Sequence, residues 1–84
     1  MLYAREVMRA MAHRSNIGRE WRMSELIFEV SPKWPTGKQE RERLRKGVRR
    51  VLEALIDAKA VQCKPARSGG TARYIWKAGH EVIE

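Results

Sequence analysis

TGKQERERLRKGVRRVLEALIDA, residues 36–58, is the stretch from which the rest of the chain can be placed. Its large apolar residues are Leu44, Val48, Val51, Leu52, Leu55 and Ile56, whose spacings put them on one face of a helix. Thr36 and Gln39 have the spacing of a capping box, in which the threonine closes the first turn and the glutamine reaches back. A helix is therefore expected over about 37–58. Its first two turns, GKQERER, hold no large apolar residue, so the helix begins outside the core and enters it later. Stepping 100° per residue, the face opposite Val48 carries Gln39, Glu42, Arg43, Lys46, Arg50, Glu53 and Asp57. Its front half is mostly basic and its rear acidic.

The charge of the whole chain follows the same helix. Eighty-four residues carry 18 Lys and Arg against 10 Asp and Glu, a net +8. Residues 33–50 hold Lys33, Lys38, Arg41, Arg43, Arg45, Lys46, Arg49 and Arg50 against only Glu40 and Glu42. So dense a basic cluster points to a phosphate-bearing partner rather than to a merely solvated surface. A chain of this length makes one domain, spanning 1–84, with a limited core and little room for a deep catalytic cleft. No enzyme, cofactor or small-molecule substrate is expected. Cys63 is the single cysteine, which excludes an internal disulfide. Cys63, His13 and His80 lack the spacing of a zinc site, so no metal is expected either. Neither histidine has a convincing nucleophile partner, and no Gly-rich loop of the P-loop type is present. No apolar run approaches a membrane span. The start, MLYAREVMRAMAHR, mixes arginines into its apolar residues, unlike a signal peptide, and Glu6 argues against a transit peptide. An intact, cytoplasmic protein without membrane contact is expected.

Outward from the long helix, residues 2–13 read as a first helix with Tyr3, Val7, Ala10 and Met11 on one face. RSNIGRE, 14–20, reads as a loop. A second helix, about 24–30, is expected to start with Ser24 as N-cap and a staple between Met23 and Phe28. Leu26, Ile27 and Val30 form its buried stripe, Pro32 and Pro35 stop it, and Trp21 and Trp34 flank it. Beyond the long helix the period changes to alternation. Val61 and Cys63, then Ala72, Tyr74 and Trp76, point one way, with Gln62, Lys64, Arg73, Ile75 and Lys77 opposite. With the Gly-containing loop PARSGGT between them, residues 61–77 read as a β-hairpin whose Tyr74 and Trp76 face the core. The tail, 78–84, is too short to assign.

Helix, short helix, proline-containing turn, long basic helix and basic hairpin form an order that resembles the winged helix-turn-helix superfamily over roughly residues 2–77. The resemblance is carried by WRMSEL, 21–26, by VRRVLEALIDAKAV, 48–61, as recognition helix running into the wing, and by ARYIW, 72–76, as returning wing strand. Two features depart from it: the connection 31–35 is long for a tight turn, and the Gly often found between recognition helix and wing is replaced by Ala60. The resemblance implies an α+β domain of three helices followed by a two-stranded hairpin wing. It implies a DNA-binding regulator, of transcription or of a mobile element's own genes, whose long helix enters the major groove of double-stranded DNA. The positive N-terminus of that helix favours phosphate.

Lys38, Gln39, Arg43, Lys46, Arg49, Arg50, Arg67, Ser68, Thr71 and Arg73 are then the expected DNA-facing residues. Arg43 and Lys46 can donate to guanine O6 and N7, and Gln39 can read adenine N6 and N7. Arg41, Arg45 and Arg49, nearer the flanks, suit phosphates or pairs with Glu40 or Glu53. Glu42 either accepts from cytosine N4 or repels phosphate. At the hairpin tip Arg67 is expected on phosphate or in the minor groove, with Lys64 and Arg73 nearby. Ser68, Gly69, Gly70 and Thr71 allow close backbone approach. The open stacking sheet of a single-strand binder is not in the pattern. Two other readings stand beside duplex DNA: docking on an acidic protein partner, and shape-dependent binding of structured RNA. Pairing into a homodimer through the first helix or the tail is left open.

Overall fold

The computed structural model describes residues 2–33, 37–67 and 70–78. Helix α1 runs Ala4–Ala12, α2 Met23–Val30 and α3 Lys38–Asp57; strands β1, Val61–Lys64, and β2, Arg73–Trp76, follow. Three helices followed by a two-stranded antiparallel hairpin are the α+β layout expected from the sequence. In its register Val61 faces Trp76 and Cys63 faces Tyr74.

The core is built from the expected faces. Val7 and Met11 of α1, Leu26 and Ile27 of α2, Leu44, Val48, Val51 and Leu52 of α3, and Val61 and Trp76 of the hairpin are buried together. Leu55 and Ile56 are only half-buried, so α3 leaves the core in its last turn as well as entering it late. On β2, Ile75 is covered too, with 6% exposure, although it lies on the face opposite Trp76. The strand is therefore not one-sided as its alternation suggested.

Several boundaries move for local reasons. The first helix begins at Ala4, because Tyr3 stands in the left-handed region at φ 67°. The following segment is not a plain loop. A 3₁₀ turn, Arg14–Asn16, brings the Asn16 amide to donate to the Ala10 carbonyl at 2.8 Å. That bond satisfies one of the carbonyls orphaned at the end of α1. The second helix has Arg22, not Ser24, at its N-cap. Glu25 sits at the third position of the helix and accepts from the Arg22 N–H at 2.7 Å, the returning half of a capping box. Ser24 is thereby inside the first turn. The expected staple is not formed, for Phe28 is 57% exposed. Gly37 is the N-cap of α3. Thr36, expected there, lies outside the described residues with Trp34 and Pro35.

The end of α3 corrects the reading of Ala60. Lys59 takes the left-handed conformation at φ 63°. Its N–H donates to the Ile56 carbonyl at 2.9 Å, and the Ala60 N–H donates to that of Leu55 at 2.8 Å. This is a Schellman closure with lysine at the position glycine usually holds. The Ala60 carbonyl then accepts from the Lys77 N–H at 2.7 Å, which fixes the root of the hairpin to the helix end.

One link was not foreseen. Trp21 pairs with Tyr74 as an isolated antiparallel bridge, each N–H donating to the other's carbonyl at 2.8 Å. The residue before α2 thus adds a third, one-residue rung to the hairpin. Arg19 lies over the Trp21 ring at 3.8 Å, and Lys64 reaches Glu20 at 3.0 Å, so the same segment is tied to β1 as well.

Candidate nucleic-acid interface

The front of α3 projects cations because its apolar residues begin only at Leu44. Lys38, Gln39, Arg41, Glu42, Arg43, Arg45, Lys46, Arg49 and Arg50 are all exposed. They do not form one surface. The neighbours packed beside α3 divide them into two flanks.

One flank meets α2 and the hairpin. An open cleft of about 520 Å³ is lined by Arg22 and Ser24 at the start of α2, Arg45 and Arg49 on α3, and Gly70 and Thr71 on the hairpin loop. Among the described residues no carboxylate lines it. A neighbouring hollow of about 320 Å³ continues this flank to the N-terminal end of α3 through Lys38, Arg41, Glu42 and Arg45. Glu42 thus sets an acid among these cations. The positive end of the α2 dipole opens at the same place, where Arg22 and Ser24 stand. Arg49 has its Nε 3.9 Å from Glu53, a long and exposed pair that leaves its outer nitrogens to other partners.

The other flank meets the start of the chain. Arg43, Lys46 and Arg50 surround Leu2 and Gly47 in a hollow of about 250 Å³. Arg43 also borders Tyr3, Val30 and Glu40. Gly47 is there because a Cβ at that position would stand 2.5 Å from the Tyr3 ring. Gln39 falls between the flanks when α3 is stepped at 100° per residue.

The expected site residues are therefore separated rather than gathered. Arg49 and Thr71 come together, with Lys38 on the same flank. Arg43, Lys46 and Arg50 lie on the flank away from the hairpin. Arg67 is exposed on the loop, where its carbonyl accepts from the Gly70 N–H at 2.6 Å. Arg73 is half-buried and paired with Lys64 across the hairpin. Ser68 and Gly69 lie outside the described residues. Arg22 and Ser24, not among the expected residues, line the same cleft as Arg49, and Arg45 is more central to it than the helical projection suggested. The position of Arg22 at a helix start was a usable signal. The side of α3 taken by the hairpin was not, since it depends on how the elements pack.

The Lys64 ammonium, by hydrogen bond and then by charge, holds the Glu20 carboxyl below the usual range. The Arg22 N–H does the same to Glu25, against a smaller opposing effect of burial and with help from Arg19. Partial burial pushes the Tyr74 hydroxyl up, with Cys63 adding to the shift. Among the described residues no three His, Cys, Asp or Glu side chains converge as metal ligands, and no helix is long and apolar enough to cross a membrane. Set against known proteins, the chain matches no family model, no curated protein and no solved structure.

Proposed function

We propose that this protein is a non-enzymatic, cytoplasmic regulator that binds double-stranded DNA as a winged helix-turn-helix domain. In this reading α3 enters the major groove and the hairpin lies on the backbone or in the minor groove beside it. The observation that carries the proposal is the convergence of Arg22, Arg45 and Arg49 with Gly70 and Thr71 around one cleft that no described carboxylate lines. Three guanidiniums beside the exposed Thr71 suit a phosphate backbone running past the side of α3. The exposed front of α3, with Gln39 and Lys46 in reach of base edges, supplies the reading surface beside it.

The test is a mobility shift with random duplex DNA, duplex RNA and an acidic protein, each at two salt concentrations. Duplex DNA is expected to bind best. If five or six phosphates are neutralised, log K falls with log salt at a slope near −5, from about −0.9 per contact. Binding indifferent to salt, or stronger to RNA or to the acidic protein, would overturn the proposal in favour of that partner.

A further inference from the structure

We infer that α3 touches both backbones of a single duplex, with its hairpin-side flank on one strand and its Leu2-side flank on the other. The inference rests on the duplex-DNA reading and adds to it a division of labour within one helix. The hairpin-side flank accounts for Lys38, Arg41, Arg45 and Arg49. It leaves Arg43, Lys46 and Arg50 unexplained. These stand at spacings of three and four, close enough to repel one another along the helix surface. Among the described residues none of the three has an ion pair, although Glu42 adjoins Arg43 in the sequence and Glu40 borders the same hollow as Arg43; Glu53, three residues beyond Arg50, is set toward Arg49. They frame a hollow floored by Gly47 and edged by Leu2, which is 66% exposed.

A helix with its side chains is about 10–12 Å across, and the major groove is about 12 Å wide. A helix lying in that groove therefore presents its two flanks to the two opposing strands. Arg45 and Arg49 reach one wall while Arg43 and Arg50 reach the other; Gln39 faces the floor, and Lys46 stands at the edge of the Leu2-side flank nearest to it. Arg43, which the helical projection alone assigns to bases, becomes a phosphate contact. Single-stranded DNA has only one backbone. It would occupy the hairpin side, where the larger cleft and Arg22 lie, and leave the Leu2 side empty.

The experiment measures the salt dependence of binding for wild type, R45Q/R49Q and R43Q/R50Q, on a 20-base-pair duplex and on one of its strands, with thermal melts to confirm folding. On the duplex each double variant is expected to lower the slope by about two, from two lost contacts at about −0.9 each. On the single strand only R45Q/R49Q should lower it. R43K/R50K, which keeps the charge, should retain the duplex slope. A duplex slope unchanged by R43Q/R50Q would overturn the inference and leave the DNA reading standing. An equal effect of R43Q/R50Q on the single strand would also overturn it, by placing both flanks on one backbone. Failure of the wild type to bind the duplex would remove the reading and the inference together.

Discussion

A hydrogen atom is all that Gly47 can hold at the point where the Tyr3 ring crosses α3. Glycine inside a helix costs about 0.5–1 kcal/mol relative to alanine, so the residue is kept against local preference. Removing the ring should reveal that cost. Gly47→Ala is expected to stabilise a Tyr3→Ala background by about 1 kcal/mol and to give no such gain in the wild type. A double-mutant cycle by chemical denaturation measures the difference, and additive effects would show that the ring does not constrain this position. The glycine was visible in the sequence, but its reason was not, because Tyr3 is remote in the chain and its left-handed backbone sets where the ring goes. The division of cations between two flanks was hidden in the same way. Periodicity placed Arg43 opposite the apolar face correctly, yet it carries no information about which neighbour sits beside that face.

At the scale of elements, the helix interiors were legible and their ends were not. Four to six apolar residues at regular spacing define α3 without help from the rest of the chain. A helix end depends instead on one or two hydrogen bonds. Glu25 bonds to an arginine that has no preference for capping, so Ser24 was the more obvious choice. Because its folded-state carboxyl is held below the ordinary glutamate range, Glu25 contributes stability at neutral pH. That contribution is lost as the pH falls below the ordinary value and through the lower folded one. Glu25→Gln keeps an oxygen for the Arg22 N–H but cannot titrate. Its melting temperature should therefore decline less steeply than that of the wild type on the acid side, and superimposable curves would exclude the link. At the other end of the adjacent helix, Lys59 occupies a left-handed position. Lys59→Gly relieves about 1–2 kcal/mol of backbone strain and gives back part of it by loosening the unfolded chain. A net gain of about 0.5–1 kcal/mol is expected in denaturant melts. Ala60→Gly should give no gain, since Ala60 is not among the residues with positive φ.

For the molecule as a whole, binding and stability should separate by location. Leu52 is 1% exposed within the core shared by all three helices and the hairpin. Its truncation to alanine should cost about 2–5 kcal/mol, a large share of the roughly 5–15 kcal/mol that a domain of ordinary stability has in total. DNA binding by Leu52→Ala should then fall only in step with the folded fraction measured by circular dichroism. A loss of binding at temperatures where the variant is still folded would show that the core residue acts on the interface directly. The layout itself was legible because change of period, from helical to alternating, is a property of long segments. The Trp21 rung was not, because a single paired residue has no alternation to detect.

That rung has a consequence for the order in which the protein assembles. The two hydrogen bonds between Trp21 and Tyr74 close a ring of backbone that encloses α2, α3 and β1. Closing so long a ring demands entropy that local contacts cannot return until the helices have packed. On a ribosome the helices emerge first and the second hairpin strand last, so this clasp is a late event in vectorial synthesis. The amide protons of Trp21 and Tyr74 should accordingly exchange with solvent as a pair, reporting the same opening from two positions far apart in sequence.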